Sequence, residues 1–392
     1  MPIALFALTL SAFAIGTTEF VTVGLVPTIS SDLNISVPST GLLVTMYALG
    51  VAIGAPILTA LTSKYNKKYI LICAMVVFSL GHVVAALAPN FTTLLIARIV
   101  TGLTHGLFFS LGATIATSLV SKEKEASAIA VMFGGLTVAM VTGVPLGTFI
   151  GQNFGWRETF MLISILGSVA FIGMAFLIPK EVRTTTPAKF FQQLKILGNP
   201  RLLIAYLITI FGFGGAFIAF TFLVPILQDI TKFSPSIISI ILLVFGLSTV
   251  VGNFIGGKLA DVFGVNKVLF GAYFCLSMVL LSFNFFVQNQ YITIAILILW
   301  GIFAFGSSPA LQANVVKLAK INEPHAVDVA SGFNISAFNV GISLFSFLGG
   351  AIVTNMGLVQ TILFSSGVVF SSLFLIWIGY MINNKVVLSQ TN

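Results

Sequence analysis

One carboxylate stands inside an otherwise apolar stretch near the start of the chain. Glu19 lies in IGTTEFVTVGLVP, residues 15–27, and the whole chain of 392 residues has only 10 Asp and Glu. A charged side chain at the centre of a membrane-spanning helix costs at least about 2.5–3.5 kcal/mol on insertion scales. Such a residue is a candidate for proton chemistry, and we predict that Glu19 faces a water-accessible cavity.

Two further ionisable side chains share one predicted helix. Arg98 and His105 belong to RIVTGLTHG, residues 98–106, and intervals of four and three residues place both on one helical face. At 1.5 Å per residue, Glu19 lies about 12 Å and Arg98 about 9 Å below the outer surface. We predict that these two side chains meet and that His105, two turns deeper, relays protons. The alternative is a buried Glu19–Arg98 pair that only fixes packing.

The composition of the chain defines the setting for these residues. Hydrophobic residues make up 58% and charged residues 7%, with a mean hydropathy of +1.11, whereas an average soluble domain is about 25% charged. The apolar runs are long and continuous, which favours helices over a barrel. We predict an all-α polytopic membrane protein with twelve transmembrane helices. The predicted spans are 3–27, 40–63, 69–88, 92–117, 126–151, 157–179, 200–227, 235–258, 266–288, 291–315, 329–353 and 358–382.

The basic residues predict the orientation of these spans. With both termini in the cytoplasm, fifteen Lys and Arg fall on the cytoplasmic side and two, Arg157 and Lys232, fall outside. This asymmetry accounts for the net charge of +8 without a nucleic-acid partner. The longest polar interval divides the chain into an N-terminal six-helix bundle (1–179), a cytoplasmic linker (180–200) and a C-terminal six-helix bundle (201–392).

The two halves repeat one another weakly but in a consistent order. Val26-Pro27, Asp32 and Pro38-Ser39 recur at an offset of 197–198 residues as Val224-Pro225, Asp229 and Pro235-Ser236. Two like-oriented halves predict a site at the bilayer midplane between them, with alternating access by rocking of one half against the other.

Two polar segments occupy matching positions in the halves. The second-half segment is GKLADVFGVNK (257–267), in which glycine permits close helix approach and a tight turn, and Asp261 can cap a helix or pair with a charge. The first-half segment, TALTSKYNKK (59–68), has Asn66 in place of the turn glycine, and asparagine tolerates a left-handed conformation. We predict a cytoplasmic gate here, and the alternative is an ordinary basic loop. The candidate gate residues are Lys64, Lys67, Lys68, Gly257, Asp261 and Gly264.

Span 5 carries a glycine at every fourth position. Gly143, Gly147 and Gly151, with Pro145 between the first two, predict backbone-to-backbone packing against a neighbouring helix. Gly50-Gly54, Gly102-Gly106 and Gly252-Gly256 repeat the spacing, and we interpret them as packing sites only.

Aromatic and amide side chains within the spans are candidates for lining a solute pocket, and core packing is the alternative for each of them. The amides in span 11 are the stronger candidates, because an unpaired amide in an apolar surrounding is costly. The candidate pocket residues are Phe20, Tyr47, Phe109, Phe213, Phe217, Trp300, Asn334 and Asn339.

Several stretches together resemble one branch of the major facilitator superfamily. They are TTEFV around Glu19, LLVTMYALGVAIGAP (42–56), RIVTGLTHG (98–106), MFGGLTV (132–138) and GVPLG-x-x-x-G-Q-x-x-GWR (143–157). The branch is the twelve-span drug/proton antiporter group that includes arabinose-efflux-like, sugar-efflux and chloramphenicol-resistance permeases. GVPLG is similar, with its proline shifted by one, to a motif associated with exporters rather than importers.

The resemblance implies a secondary transporter and not an enzyme. We expect proton-coupled efflux of a small organic solute, such as a drug, sugar or metabolite, by a monomer in the bacterial cytoplasmic membrane. The proton gradient would drive transport, with no cofactor and no metal, and the partners would be the solute, protons and the lipid bilayer. The alternative is a sugar or nutrient importer of the same fold.

Overall fold

The computed structural model describes residues 2–62, 65–120, 125–179, 195–322 and 327–390. Within these ranges, twelve helices are long and apolar enough to cross a membrane, which confirms the predicted all-α fold. The spans are numbered α1 to α12, and α5 and α7 contain π-helical turns. They are α1 Ile3–Asp32, α2 Val37–Thr62, α3 Lys67–Ala86, α4 Phe91–Ser118, α5 Glu125–Val138 with Ala139–Gly143 and Val144–Asn153, α6 Trp156–Leu177, α7 Pro200–Ile208 with Thr209–Phe213, Phe217–Phe220, Leu223–Pro225 and Ile226–Ile230, α8 Pro235–Phe263, α9 Val265–Phe286, α10 Gln290–Asn322, α11 Val327–Met356 and α12 Leu358–Gln390.

The chain forms two compact units. The first unit comprises Met1–Pro187, Leu223–Pro225 and Ser234–Leu243, and therefore contains α1 to α6. The second unit comprises Ala188–Phe222, Ile226–Phe233 and Val244–Asn392. The residues predicted to carry protons all lie in the first unit.

Helix α8 extends beyond its predicted end at residue 258, and this changes the second-half gate segment. We expected a loop over residues 257–267, but α8 continues to Phe263 and α9 begins at Val265. Gly264 alone separates the two helices, with φ of +86°, a conformation that glycine adopts without steric cost. The predicted span ended at Lys258, its first charged residue. Lys258 is exposed, and an exposed lysine is compatible with a helix that continues past the hydrocarbon layer.

Asn66 does not adopt the left-handed conformation that we considered for it. Its φ and ψ are −65° and 121°, and its side-chain oxygen accepts a hydrogen bond from the backbone N–H of Lys68 at 2.9 Å. Asn66 is therefore the N-cap of α3.

The π-helical turn in α5 lies just before a proline. Pro145 has no N–H to donate to Val141, and its ring crowds that carbonyl. The turn at Ala139–Gly143 adds one residue where this regular hydrogen bond is lost.

The glycines of α5 pack directly on α1. A Cβ at Gly143 would lie 2.2 Å from Thr17 Oγ1, and one at Gly147 would lie 2.7 Å from a Val21 methyl carbon. Each four-residue step on α5 matches a four-residue step on α1, so the two backbones stay close along several turns.

A second close approach joins α2 and α4. A Cβ at Gly102 would lie 2.3 Å from the Tyr47 carbonyl oxygen, and one at Gly50 would lie 2.6 Å from that of Ile99. Because both helices present glycine at the crossing, side chains on either side of it are brought into contact.

At one end of the first unit, polar side chains join α1, α6 and the segment after α3. Arg157 forms an ion pair with Asp32, and Trp156 Nε1 donates to the same carboxylate at 3.0 Å. Arg157 Nη2 also donates to the Ala88 carbonyl at 3.2 Å. We call Asp32, Ala88, Trp156 and Arg157 the end clamp.

Candidate functional site

Arg98 is the centre of a buried group of polar side chains in the first unit. It is 1% exposed, and its Nη1 donates to Thr18 Oγ1 at 2.8 Å. The guanidinium carbon lies 3.9 Å from the centre of the Tyr47 ring, a distance typical of cation–π contact. Nε points to the Leu43 carbonyl at 3.5 Å, and Nη2 has no hydrogen-bond partner among the residues that the structure describes.

Glu19 and Arg98, which we predicted to meet, form no ion pair within the described ranges, and Arg98 Nη1 donates instead to Thr18, the residue next to Glu19. Glu19 is half-buried, and within the described ranges its carboxylate has neither a hydrogen-bond partner nor an ion-pair partner. The two charges still interact electrostatically. The carboxylate and the free Nη2 are therefore nearby groups of opposite charge, each without a fixed partner in that part of the chain.

Thr18 also connects Arg98 to His82, a residue that we did not predict as part of the site. His82 Nδ1 lies 2.7 Å from the Phe78 carbonyl, which can only accept, so Nδ1 carries a proton. Thr18 Oγ1 lies 2.7 Å from His82 Nε2. In the neutral imidazole, Nε2 is then the acceptor, and the hydroxyl accepts from Arg98 while donating to His82.

His105 joins this group through Tyr47 and has no direct contact with Glu19 in the structure. The Tyr47 hydroxyl lies 3.0 Å from His105 Nδ1, and both residues are buried. On its other side, the His105 ring lies 5.0 Å from the ring of Phe109. We call Thr18, Tyr47, His82, Arg98 and His105 the polar cluster. The only sequence signal for Thr18 and His82 was their polarity within apolar spans.

Removing the Thr18 hydroxyl is expected to destabilise the first unit. The Thr18→Val variant leaves Arg98 Nη1 and His82 Nε2 buried without this partner, and a buried hydrogen bond to a charged group contributes about 1.5–3 kcal/mol. We expect a lower Tm for the purified protein and recovery in Thr18→Ser. Thr22→Val is the control, because Thr22 is buried and its hydroxyl, among the described residues, bonds only the Thr18 carbonyl of its own helix, at 3.3 Å. Equal Tm values for Thr18→Val and Thr22→Val would contradict the assignment.

In the second unit, three candidate pocket residues lie among contacting aromatic rings. Phe213 lies 5.6 Å from Phe217 and 4.9 Å from Phe338, measured between ring centres. Trp300 is buried and reaches this group through Phe220, at 6.1 Å. The other rings in contact with them were not among the candidates, because a chain with 38 Phe offers too many equivalent choices. We define the aromatic group as Phe213, Phe217, Phe220, Phe245, Trp300, Phe305 and Phe338.

The two candidate amides of α11 differ in how they are bonded. Asn334 accepts from Thr209 Oγ1 at 2.7 Å and donates to Gln312 Oε1 at 2.8 Å. Asn339 donates to the Ile335 carbonyl at 3.0 Å, but its buried Oδ1 has no partner among the described residues. Asn339 therefore has a free acceptor, whereas both ends of Asn334 are already bonded. In the first unit, the candidate Phe20 is buried.

The candidate gate residues are distributed over several environments. Lys64 and the Asp261 side chain lie outside the described part of the structure. Lys68 is buried, and its ammonium donates to the carbonyls of Ala175, at 2.8 Å, and Ile178, at the end of α6. Lys67 is half-buried at the start of α3, and Gly257 lies in the last turns of α8.

The sequence pattern of the Major Facilitator Superfamily matches residues 8–327 and, in a second match, residues 215–390. An uncharacterised transporter of this type from Bacillus subtilis strain 168, YtbD, is 48% identical over 358 residues, which cover 91% of this chain and 90% of the relative. A probable sugar efflux transporter from Helicobacter pylori strain P12 is 32% identical and covers 90% and 89%. The solved structure of the nucleoside transporter NupG has a TM-score of 0.79 at 13% identity, covering 96% and 99%, and this likeness concerns the fold.

Proposed function

Because the chain belongs to the major facilitator superfamily, we propose that it is a proton-coupled exporter of a small organic solute. It is a multi-pass transporter of the bacterial inner membrane and not an enzyme. The proton coupling, the outward direction and the kind of solute are the elements of the proposal.

The observation that carries the proton coupling is the arrangement of Glu19 and Arg98. Glu19 is half-buried without a fixed partner in the described ranges, while the nearby Arg98 keeps Nη2 unbonded there. A carboxylate held by several donors would be locked in its charged form. Without such donors, Glu19 is able to exchange a proton with water, and Arg98 supplies a positive charge for the deprotonated state.

The cycle that we propose uses this carboxylate as the proton carrier. A proton entering from outside neutralises Glu19, weakens its attraction to Arg98 and favours release of the solute. Return to the inward-facing state discharges the proton to the cytoplasm. A relay through His105 would run by way of the Tyr47 hydroxyl, because that hydroxyl is the group that His105 contacts.

The chemistry of the second unit supports an apolar or amphiphilic solute. Its aromatic group provides ring faces and edges, and Asn339 Oδ1, on α11, is a hydrogen-bond acceptor without a partner in the described ranges. Pockets for small molecules combine apolar walls with a few polar groups in this way. The Helicobacter pylori relative is named as a probable sugar efflux transporter, so sugars belong in the first solute panel together with aromatic drugs.

The test is solute movement under an imposed pH gradient. We expect everted membrane vesicles that contain the protein to accumulate a solute when their interior is acidified, and to lose the accumulated solute when an ionophore collapses the gradient. Empty vesicles prepared in the same way are the control. Solute equilibration at the same rate with and without the gradient would contradict export by proton antiport and would favour a facilitator.

A further inference from the structure

We propose that the second unit carries a binding site for an anionic phospholipid. The phosphate would lie at the start of α9, and one acyl chain would occupy a groove between α8, α9 and α10. The proposal does not depend on the direction or the coupling of transport.

The groove is an apolar cavity of about 360 Å³. This volume falls within the range of about 300–1,000 Å³ that is typical of small-molecule sites. Gly252 and Gly256 form part of one wall, and Gly271 and Cys275 form part of another. A Cβ at Gly271 would have no neighbouring atom within 4 Å, so an open space lies in front of this glycine.

The length and direction of the groove match one leaflet of a bilayer. Along α8 it extends from Gly252 to Phe263, eleven residues or about 16 Å at 1.5 Å per residue. One half of a hydrocarbon core that is about 30 Å thick is about 15 Å. Leu259 and Phe263, at one end, are 39% and 58% exposed. An acyl chain therefore fits the groove in length and polarity.

The other requirement, an anion site at the end of the groove, is met at the α8–α9 junction. Gly264 precedes α9 and has no side chain to cap it, so among the described side chains the first backbone N–H groups of α9 have no capping acceptor. Lys267 lies in this first turn, is exposed and lines the groove. A free helix N-terminus beside an ammonium binds phosphate, and basic pockets between transmembrane helices bind lipid headgroups.

The corresponding helix start in the first unit, at Asn66, differs in its cap and in the environment of Lys68. Asn66 caps α3 by accepting from the Lys68 N–H, and the Lys68 ammonium is bonded to the carbonyls of Ala175 and Ile178. Two donors at this helix start, the Lys68 N–H and the Lys68 ammonium, are thus used internally, whereas Lys267 at the start of α9 is exposed and lines the groove. We therefore assign the lipid site to the second unit.

The test compares lipids and variants by thermal unfolding of the full chain in neutral detergent. We expect phosphatidylglycerol to raise the Tm by several degrees more than phosphatidylcholine, because a ligand of the native state stabilises it. Gly271→Leu fills the groove and should abolish the difference, and Lys267→Gln should reduce it. The matched controls are Gly367→Leu and Lys258→Gln. Gly367 is likewise an exposed helical glycine with no neighbour within 4 Å of its Cβ, and Lys258 is exposed but does not line the groove.

A second measurement detects bound lipid directly, and it is used if a variant is too unstable to give a thermal unfolding transition. Native mass spectrometry of the purified protein should show phosphatidylglycerol retained by the wild type and by both controls, and retained to a smaller extent by Lys267→Gln. Equal Tm shifts with both lipids would overturn the proposal. The same conclusion follows if inorganic phosphate alone reproduces the shift, or if Gly271→Leu and Lys267→Gln respond like the wild type.

Discussion

Glu19→Gln is expected to abolish solute transport driven by a pH gradient while preserving exchange of solute for solute. The amide has the shape of the carboxylic acid but cannot release a proton, so the variant stays in the neutral state. Because Glu19 has no hydrogen-bond partner in the described ranges, the substitution breaks no bond there and should leave the Tm close to that of the wild type. The measurement is transport in proteoliposomes with and without an imposed gradient.

The matched control for this experiment is Glu158→Gln. Glu158 is an exposed carboxylate in the first turn of α6 and is not part of the polar cluster. We expect this variant to transport at the wild-type rate. If Glu19→Gln also kept the wild-type response to the gradient, Glu19 would not be the coupling group.

A second large effect is expected at Gly135, one of two adjacent glycines in α5. A Cβ at Gly135 would lie 2.0 Å from the Thr9 carbonyl oxygen and 2.9 Å from the Phe13 nitrogen, whereas a Cβ at Gly134 would meet nothing within 4 Å. Backbone atoms can move away only if α1 and α5 separate, and overpacking of this kind costs about 1–3 kcal/mol or more. Gly135→Ala should therefore lower the Tm and the yield of folded protein.

Gly134→Ala is the control for this prediction, since it makes the same chemical change one position away. Alanine is favoured over glycine in a helix interior by about 0.8–1.0 kcal/mol, so this variant should be as stable as the wild type or slightly more stable. Equal losses of Tm for the two variants would show that contact with α1 does not account for the glycine.

Three members of the polar cluster were selected from the sequence, but their contacts were not predictable from it. Arg98 and His105 were selected by residue type and helical spacing, and Tyr47 as an aromatic candidate for the solute pocket. The choice between Thr18 and Glu19 as the partner of Arg98 depends on the rotation of α1 about its axis, because adjacent residues point in different directions. A helix that is apolar on all sides carries no pattern that fixes this rotation, and the packing of α1 against α5 determines it.

The limits of the helices were difficult to predict for a related reason. Hydropathy identifies the residues suited to the hydrocarbon layer, so a predicted span ends at its first charged residue. The helix itself continues wherever the backbone hydrogen bonds are satisfied. The α8–α9 junction shows this, because a single residue with positive φ, Gly264, replaces the expected loop. The free helix start beyond it was visible only when the true limits were known.

The end clamp and the polar cluster together have a consequence for Glu19. The clamp ties the end of α1 at Asp32 to α6, and the cluster ties the helix at Thr18 to α3 and α4. Because α1 is bonded to its neighbours at two positions along its length, it should not move independently of them. We therefore expect Glu19 to move together with the whole first unit. Its access to either side of the membrane then changes only when that unit moves as a rigid body.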